Sequence, residues 1–289
     1  IRYSGRKEKE LSMCFNFHHL KVDYKDGDKW TLMEPDRIAL KKTVRDMADG
    51  NAGWRWLECT FLVQSRSAPS CVQDLYWKES AKMLAAAIHM MRGTPYVYQG
   101  EELGMTNAHY NDISQYRDVE SLNYYKILLD QGKTKEQALK VLAARSRDNS
   151  RTPMQWSDDK NAGFTEGTPW IEAPENYKEI NAETELKDPD SIYSFYKKLI
   201  ALRKEKDIIA EGTIEFLEKE NADVLAYRRN YQGEELIVLN NLTAENVTIR
   251  QQPEWKVYQK RLGNYEKITA EDGKITLRPF ETIVLDSAL

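Results

Sequence analysis

The residues of this chain best suited to chemistry by type and spacing are a pair of carboxylates and a run of basic residues. Glu101 and Glu102 follow the apolar, aromatic stretch Pro95-Tyr96-Val97-Tyr98, with Gln99 and Gly100 between. A short stretch of that kind, bounded by glycines, reads as a buried strand. Just before it, Met83, Leu84, Ala87, Ile88 and Met91 fall at helical spacing within Ser80–Met91. Helix, glycine turn and buried strand in succession are the unit of a barrel of parallel strands. Gln99, Glu101 and Glu102 are then expected at the strand's carboxyl end, the face where barrel enzymes keep their chemistry. The competing reading is a solvated loop after the strand.

The basic run is His18-His19-Leu20-Lys21, followed by Lys25 and Lys29. Residues 11–24 read as a strand that ends in a polar turn over 25–30. Adjacent histidines on a strand point to opposite faces, which argues against a metal pair, and no metal site is assigned. Taken alone, Lys21, Lys25 and Lys29 are solvated lysines.

The elements that must position these groups come next. Pro35 stands near the start of an amphipathic helix carrying Ile38, Leu40, Val44 and Met47. Residues 106–181 form a long, mostly irregular excursion, interrupted by a helix that opens on the capping box Thr134-x-x-Gln137. An excursion of that length inside a compact domain suggests a functional lid. Asp190 precedes a strong helix with Ile192, Phe195, Tyr196, Leu199 and Ile200 on one face. After Gly212 the pattern changes to short alternating runs over 213–217, 224–229, 235–240, 247–250, 275–278 and 283–285. Asn221, Gly233 and Gly273 punctuate them, so an antiparallel β-sandwich is expected.

Composition limits the rest. The length of 289 residues predicts about two domains, and 41% hydrophobic content can fill a core. A net charge of −4 gives no electrostatic case for nucleic acid or membrane as partner. No apolar run approaches the ~18 residues of a membrane span. The opening residues, Ile1-Arg2-Tyr3-Ser4, are not those of a signal peptide. Cys14, Cys59 and Cys71 have neither disulfide-framework nor metal-site spacing, which fits a reducing, cytoplasmic setting.

Several stretches together carry a resemblance. They are Met91-Arg92-Gly93-Thr94-Pro95-Tyr96, Gln99-Gly100-Glu101-Glu102-Leu103-Gly104-Met105, Tyr116-Arg117-Asp118-Val119-Glu120, and Ser146-Arg147-Asp148-Asn149-Ser150-Arg151-Thr152-Pro153-Met154-Gln155-Trp156. They resemble the α-amylase superfamily, and within it the bacterial α-glucosidase branch. The implied fold is α/β: the C-terminal part of a (β/α)8 barrel, strands six to eight with a long eighth loop, over 1–210, then an antiparallel β-sandwich over 211–289. The run His18-His19-Leu20-Lys21 resembles the sixth strand of the branch's trehalose-6-phosphate hydrolases, whereas oligo-1,6-glucosidases carry carboxylates there. A phosphate bears about −1.5 to −2 charges at neutral pH, so basic residues in place of carboxylates turn a repelling rim into an attracting one. The resemblance implies a phosphorylated disaccharide as small-molecule substrate, no cofactor and a monomer at full length. It implies substrate contacts from His18, His19, Lys21 and Lys29, a pocket position for Gln99, a pocket-rim or structural place for Glu101, and a glucose-holding loop with Arg147, Asp148 and Arg151. An arginine fork suits paired sugar hydroxyls, and the competing reading of that loop is an exposed salt-bridge cluster. The implied reaction is hydrolysis with retention, whose nucleophile and acid/base lie on strands four and five. No catalytic residue is therefore expected intact in these 289 residues, and the chain as written is expected to be inactive. The other readings are an oligo-1,6-glucosidase or dextran glucosidase, and a non-enzymatic amylase-like transporter subunit.

One stretch departs from the resemblance. The family expects a seventh strand bearing Asn-His-Asp, whose aspartate stabilises the transition state, but residues 55–73 match nothing there. Read one base later, codons permitted by Trp56 to Gln73 can spell Gly-Trp-Asn-Ala-Leu-Phe-Trp-Cys-Asn-His-Asp-Gln-Pro-Arg-Val-Val-Ser-Arg. That is the missing motif without a gap, and it makes Cys59 and Cys71 products of a compensated frameshift. Sequencing the gene across codons 54–76 is expected to find codons 65–69 that spell His-Asp-Gln-Pro-Arg in the shifted frame. Codons that cannot do so remove the frameshift.

Overall fold

The computed structural model describes residues 21–49 and 74–287. His18, His19, the three cysteines and the frameshifted stretch lie outside the described residues.

The first described element is a hairpin, β1 (Tyr24–Lys25) and β2 (Asp28–Leu32). Its turn is Asp26-Gly27, both at positive φ, the backbone that a two-residue hairpin requires. The turn predicted over 25–30 thus shrinks to its centre, and Asp28–Trp30 join the strand. Helix α1 (Arg37–Asp49) starts where Asp36 accepts from the Ala39 amide at 2.9 Å, and it buries Leu40 and Val44. Helix α2 (Trp77–His89) buries every residue from Ser80 to His89.

The strand predicted over 95–98 does not form. These residues lie in irregular backbone, and Tyr96, Val97 and Tyr98 are 53%, 40% and 39% exposed. A parallel strand exists only between neighbours that take up its backbone groups and cover both faces. No strand among the described residues pairs with this segment.

Helices α3 (Val119–Asp130) and α4 (Lys135–Arg145) form an antiparallel pair, the second opened by the expected Thr134–Gln137 capping box. After α5 (Ala182–Lys187), helix α6 (Ile192–Glu205) is capped by Ser191. Its buried face carries Ile192, Phe195, Tyr196, Leu199 and Leu202, while Ile200 lies 40% exposed. Ile200 falls at the far edge of the helical arc centred on Leu199, so the expected stripe runs to Leu202 instead. A short α7 (Asp207–Glu211) leads out of this region.

The remaining strands are β3 (Thr213–Leu217), β4 (Val224–Tyr231), β5 (Glu234–Asn241), β6 (Val247–Arg250), β7 (Gln259–Gly263), β8 (Thr269–Glu271), β9 (Lys274–Leu277) and β10 (Thr282–Asp286). They form antiparallel sheets ordered β3-β4-β5-β10-β7 and β6-β9-β8. Val224, Ala226, Ile237, Leu239, Ile283 and Leu285 face Ile249, Ile275 and Leu277 across the sandwich. The alternate residues Leu225, Tyr227, Leu236, Val238 and Val284 join a second core with α2 and α6. The central strands are thus buried on both faces, and each fully buried Leu or Val contributes about 1.5–3 kcal/mol.

Polar bonds lock this seam at the carboxyl end of α2. Tyr227 donates to the Ala87 carbonyl at 2.7 Å. Arg229, with no exposed surface, donates to the carbonyls of Met90 at 2.6 Å, Gly212 at 2.8 Å and Thr213 at 3.0 Å. Burial pulls the Arg229 pKa down to about 10, still far above neutrality, so the guanidinium remains charged. Arg203 of α6 takes the carbonyls of His89 at 2.7 Å, Met91 at 3.1 Å and Gly93. Replacing Arg229 with Met strands three buried acceptors. Arg229→Met is expected to lower the unfolding free energy by about 3–5 kcal/mol, read from urea titration. A loss under about 1 kcal/mol would show that the seam does not depend on the Arg229 bonds.

Candidate functional site

The Gln99–Met105 segment is a compact double turn. Gly100 and Gly104 sit at positive φ, and the Met105 amide bonds back to the Gly100 carbonyl at 2.9 Å. Gly104 has no room for a side chain, since an added Cβ would lie 2.3 Å from Ile192 Cδ1 and 2.7 Å from Trp77. Glu101 is 4% exposed, and its carboxylate accepts from the Tyr98 amide at 3.1 Å and from the Tyr196 hydroxyl. Gln99 is exposed. Tyr98 extends from this turn and donates to the Ser150 carbonyl at 2.7 Å, which ties it to the segment carrying Arg147 and Arg151.

That segment rests on a separate apolar cluster of Trp30, Tyr110, Tyr116, Tyr125, Leu128, Leu142 and Ile171. The β1–β2 hairpin docks on α3 and α4 through it. Trp30 stacks on Tyr124 with ring centroids 4.6 Å apart. Arg145 forms a buried ion pair with Asp23 and donates to its carbonyl at 2.9 Å. The hairpin and the long excursion are therefore packed together.

Two buried carboxylates brace the rim from inside. Asp148 has no exposed surface and accepts from the amides of Arg117 at 2.7 Å and Asp118 at 2.9 Å. Asp118 caps α3, taking the Ser121 amide at 3.1 Å and hydroxyl at 2.8 Å. Arg151 spans both, 3.4 Å from Asp118 and 3.5 Å from Asp148. On the outside, one oxygen of Glu120 holds Lys29 at 2.9 Å and Arg147 at 3.1 Å. The Lys29 ammonium also lies 4.6 Å from the Trp30 ring centroid, within cation–π range. Lys21 is exposed at the foot of the hairpin.

The structure therefore divides the expected site residues. It brings Lys29 and Arg147 together, with Arg151 braced on the same loop. Glu101 and Asp148, expected at the pocket, are both buried, with carboxylate oxygens that accept from neighbouring donors and brace the rim. His18 and His19 lie outside the described residues. Sequence reasoning missed Glu120, Tyr98 and Tyr124 as partners. The only available signal for Glu120 was its place in the Tyr116–Glu120 motif, because its partner Lys29 is 91 positions away. Among the described residues there is no cluster of His, Cys, Asp or Glu able to hold a metal, and no helix long and apolar enough to cross a membrane.

Comparison with known proteins places this architecture. Residues 1–212 match the model of the α-amylase catalytic domain, and residues 224–284 match the α-amylase SusG C-terminal domain. The chain is 47% identical to a trehalose-6-phosphate hydrolase of Bacillus subtilis and 45% identical to one of Escherichia coli, in each case over 98% of this chain and 52% of the relative. It is 41% identical to an oligo-1,6-glucosidase of Bacillus cereus, again over 98% and 52%. A crystal structure of Bacillus licheniformis trehalose-6-phosphate hydrolase superimposes with a TM-score of 0.90 at 45% identity, covering 99% of this chain and 53% of that one. The chain thus spans about half the length of the relatives it matches. Its fold is the matching part of an α-amylase barrel followed by the antiparallel C-terminal domain.

The brace has a direct test. Asp148→Ala removes the one oxygen, Oδ2, that accepts from both the Arg117 and Asp118 amides, together with the Oδ1 that faces Arg151. It is expected to cost about 2–4 kcal/mol and to speed hydrogen exchange at the Arg117 and Asp118 amides. Arg147→Ala, at an exposed pair, is expected to change stability by less than about 1 kcal/mol. Equal effects from both would deny Asp148 its bracing role.

Proposed function

The chain belongs to the α-amylase family, and from that premise we propose that it forms part of a glycoside hydrolase acting on trehalose 6-phosphate, releasing glucose and glucose 6-phosphate with retention. The observation that carries this reading is the basic rim. Lys21 stands just before the hairpin that carries Lys29, and Arg147 reaches the same Glu120 oxygen as Lys29 from the facing loop. Cations gathered at one edge of a sugar pocket suit a phosphate and serve a neutral disaccharide poorly. The high identity to trehalose-6-phosphate hydrolases supports the same substrate.

Retaining hydrolysis needs a nucleophilic carboxylate and an acid/base carboxylate about 5–5.5 Å apart. Among the described residues Glu101, Asp118 and Asp148 are buried and committed to hydrogen bonds, so none of them fits either role. The reaction is accordingly proposed for a polypeptide with the whole barrel, and the 289 residues alone are proposed to be inactive. Within it, the described residues hold and orient substrate. Arg151, fixed by two carboxylates, presents its remaining donors towards sugar hydroxyls. Lys21 and Lys29 draw in the phosphate.

The second reading is an oligo-1,6-glucosidase, and the Glu120 charge beside Lys29 speaks for it, since it partly neutralises the rim. Lys21 separates the two readings in a barrel completed with the N-terminal half of the Bacillus subtilis relative and carrying the shifted-frame Asn-His-Asp. A charge-assisted phosphate contact is worth about 1.5–3 kcal/mol, or about 10- to 150-fold. Lys21→Ala is expected to lower kcat/KM for trehalose 6-phosphate by that factor and to leave an aryl α-glucoside unchanged. Equal losses on both substrates, or none on either, would move the oligo-1,6-glucosidase reading ahead.

A further inference from the structure

We propose that Glu120 is a specificity-determining latch: its carboxylate holds Lys29 and Arg147 as one anion-binding pair and competes with a phosphate monoester for them. The inference rests on the phosphorylated-sugar reading above and names the regulation of that site.

The geometry is unusual for a surface ion pair. The Lys29 ammonium at 2.9 Å and the Arg147 guanidinium at 3.1 Å meet the same oxygen, Oε2, of Glu120. Their three backbones come from the hairpin, from the first turn of α3, and from the turn after α4. Long charged side chains on a surface normally lose as much conformational freedom as they gain in attraction. Here each stands within two positions of a buried anchor. Lys29 adjoins Trp30, stacked on Tyr124. Glu120 follows the helix cap Asp118, and Arg147 adjoins the fully buried Asp148. The rotamers remain free, but their origins are fixed, which lowers the cost of holding the cluster together.

The charge count gives the function. Two cations share one carboxylate, so the cluster keeps a net positive charge. The Arg147 side chain is 59% exposed and Lys29 22%, so an anion from solvent reaches the pair. A phosphate monoester carries more charge than a carboxylate and offers three oxygens, enough to bridge both cations at once. It cannot share them with Glu120 at short range without like-charge repulsion. Binding a sugar phosphate therefore requires Glu120 to swing aside, whereas an unphosphorylated sugar leaves the latch closed. The carboxylate thus weakens phosphate binding and limits how tightly a phosphorylated product is retained. It also reassigns Arg147, which joins Lys29 at the phosphate end and leaves Arg151 as the glucose-facing arginine.

The test uses the completed barrel described above, with glucose 6-phosphate as probe and glucose as control, followed by titration calorimetry. Glu120→Gln keeps the shape of the side chain and removes the competing charge. It is expected to tighten glucose 6-phosphate about three- to tenfold and to leave glucose unchanged. Arg147→Gln is expected to weaken glucose 6-phosphate about fivefold or more, again without effect on glucose. A purely structural role for Glu120 would instead loosen both ligands. If the unaltered barrel binds glucose 6-phosphate but Glu120→Gln does not tighten it, the latch is wrong and the substrate reading stands. If the unaltered barrel binds glucose 6-phosphate no better than glucose, both fail together.

Discussion

The carboxyl end of helix α2 is the point on which the described structure depends. A helix leaves its last carbonyls without partners, and here that end is buried between a helix and a sheet, out of reach of water. The carbonyls of Ala87, His89, Met90, Met91 and Gly93 are taken by Tyr227, Arg229 and Arg203. The donors come from β4 and α6, so the solution to a local problem in one helix fixes the C-terminal sheet against the barrel side. Two of the donors are guanidiniums, which place positive charge where the helix dipole is negative. Their several N–H groups also let one side chain close several carbonyls. The burial of His89 follows from the same packing. Desolvation pulls its pKa down to about 4, with Arg203 adding to the effect, so the imidazole is neutral at physiological pH.

From that seam the constraint passes outward. Tyr196 of α6, packed edge-on to His89, donates to Glu101. Glu101 fixes Tyr98, and Tyr98 reaches the Ser150 carbonyl in the rim. The rim has its own small core and its own braces, but this chain of contacts sets where it sits relative to the barrel side. Glu101 is thus a structural relay, which explains why an acidic residue at the end of an expected barrel strand is hidden.

Much of this was legible in the sequence because it is written in local patterns. The helical spacing of Met83 to Met91, the Thr134–Gln137 box and the glycines at 233 and 273 each act within a few residues. The strands β7 and β8 were not legible. β7 buries only Leu262 and β8 buries nothing, so neither carries the alternation that marks a half-buried strand. The predicted strand over 95–98 has the right residues, but strand formation is a property of neighbours as well as of composition. Site geometry was least legible. Lys29 and Glu120 are 91 positions apart and Asp23 and Arg145 are 122 apart, and neither pair shares a pattern. Nor could the sequence show that Asp148 turns inward to amides of its own loop while its neighbour Arg147 turns out.

That last contrast shows how the rim separates stability from specificity. Asp118, Asp148 and Asp23 are buried, and their partners are backbone amides or arginines that cannot leave without exposing a carboxylate. Charges so placed are costly to break and ill suited to exchange for a ligand. Lys21, Lys29, Glu120 and Arg147 lie at the surface, where an ion pair is worth little and can be traded for another anion at small cost. Alternation along the chain produces this division: Asp148 follows Arg147, and Asp118 precedes Glu120 by two positions. Changing the exposed members can therefore retune which anion the rim prefers while the buried members keep its shape.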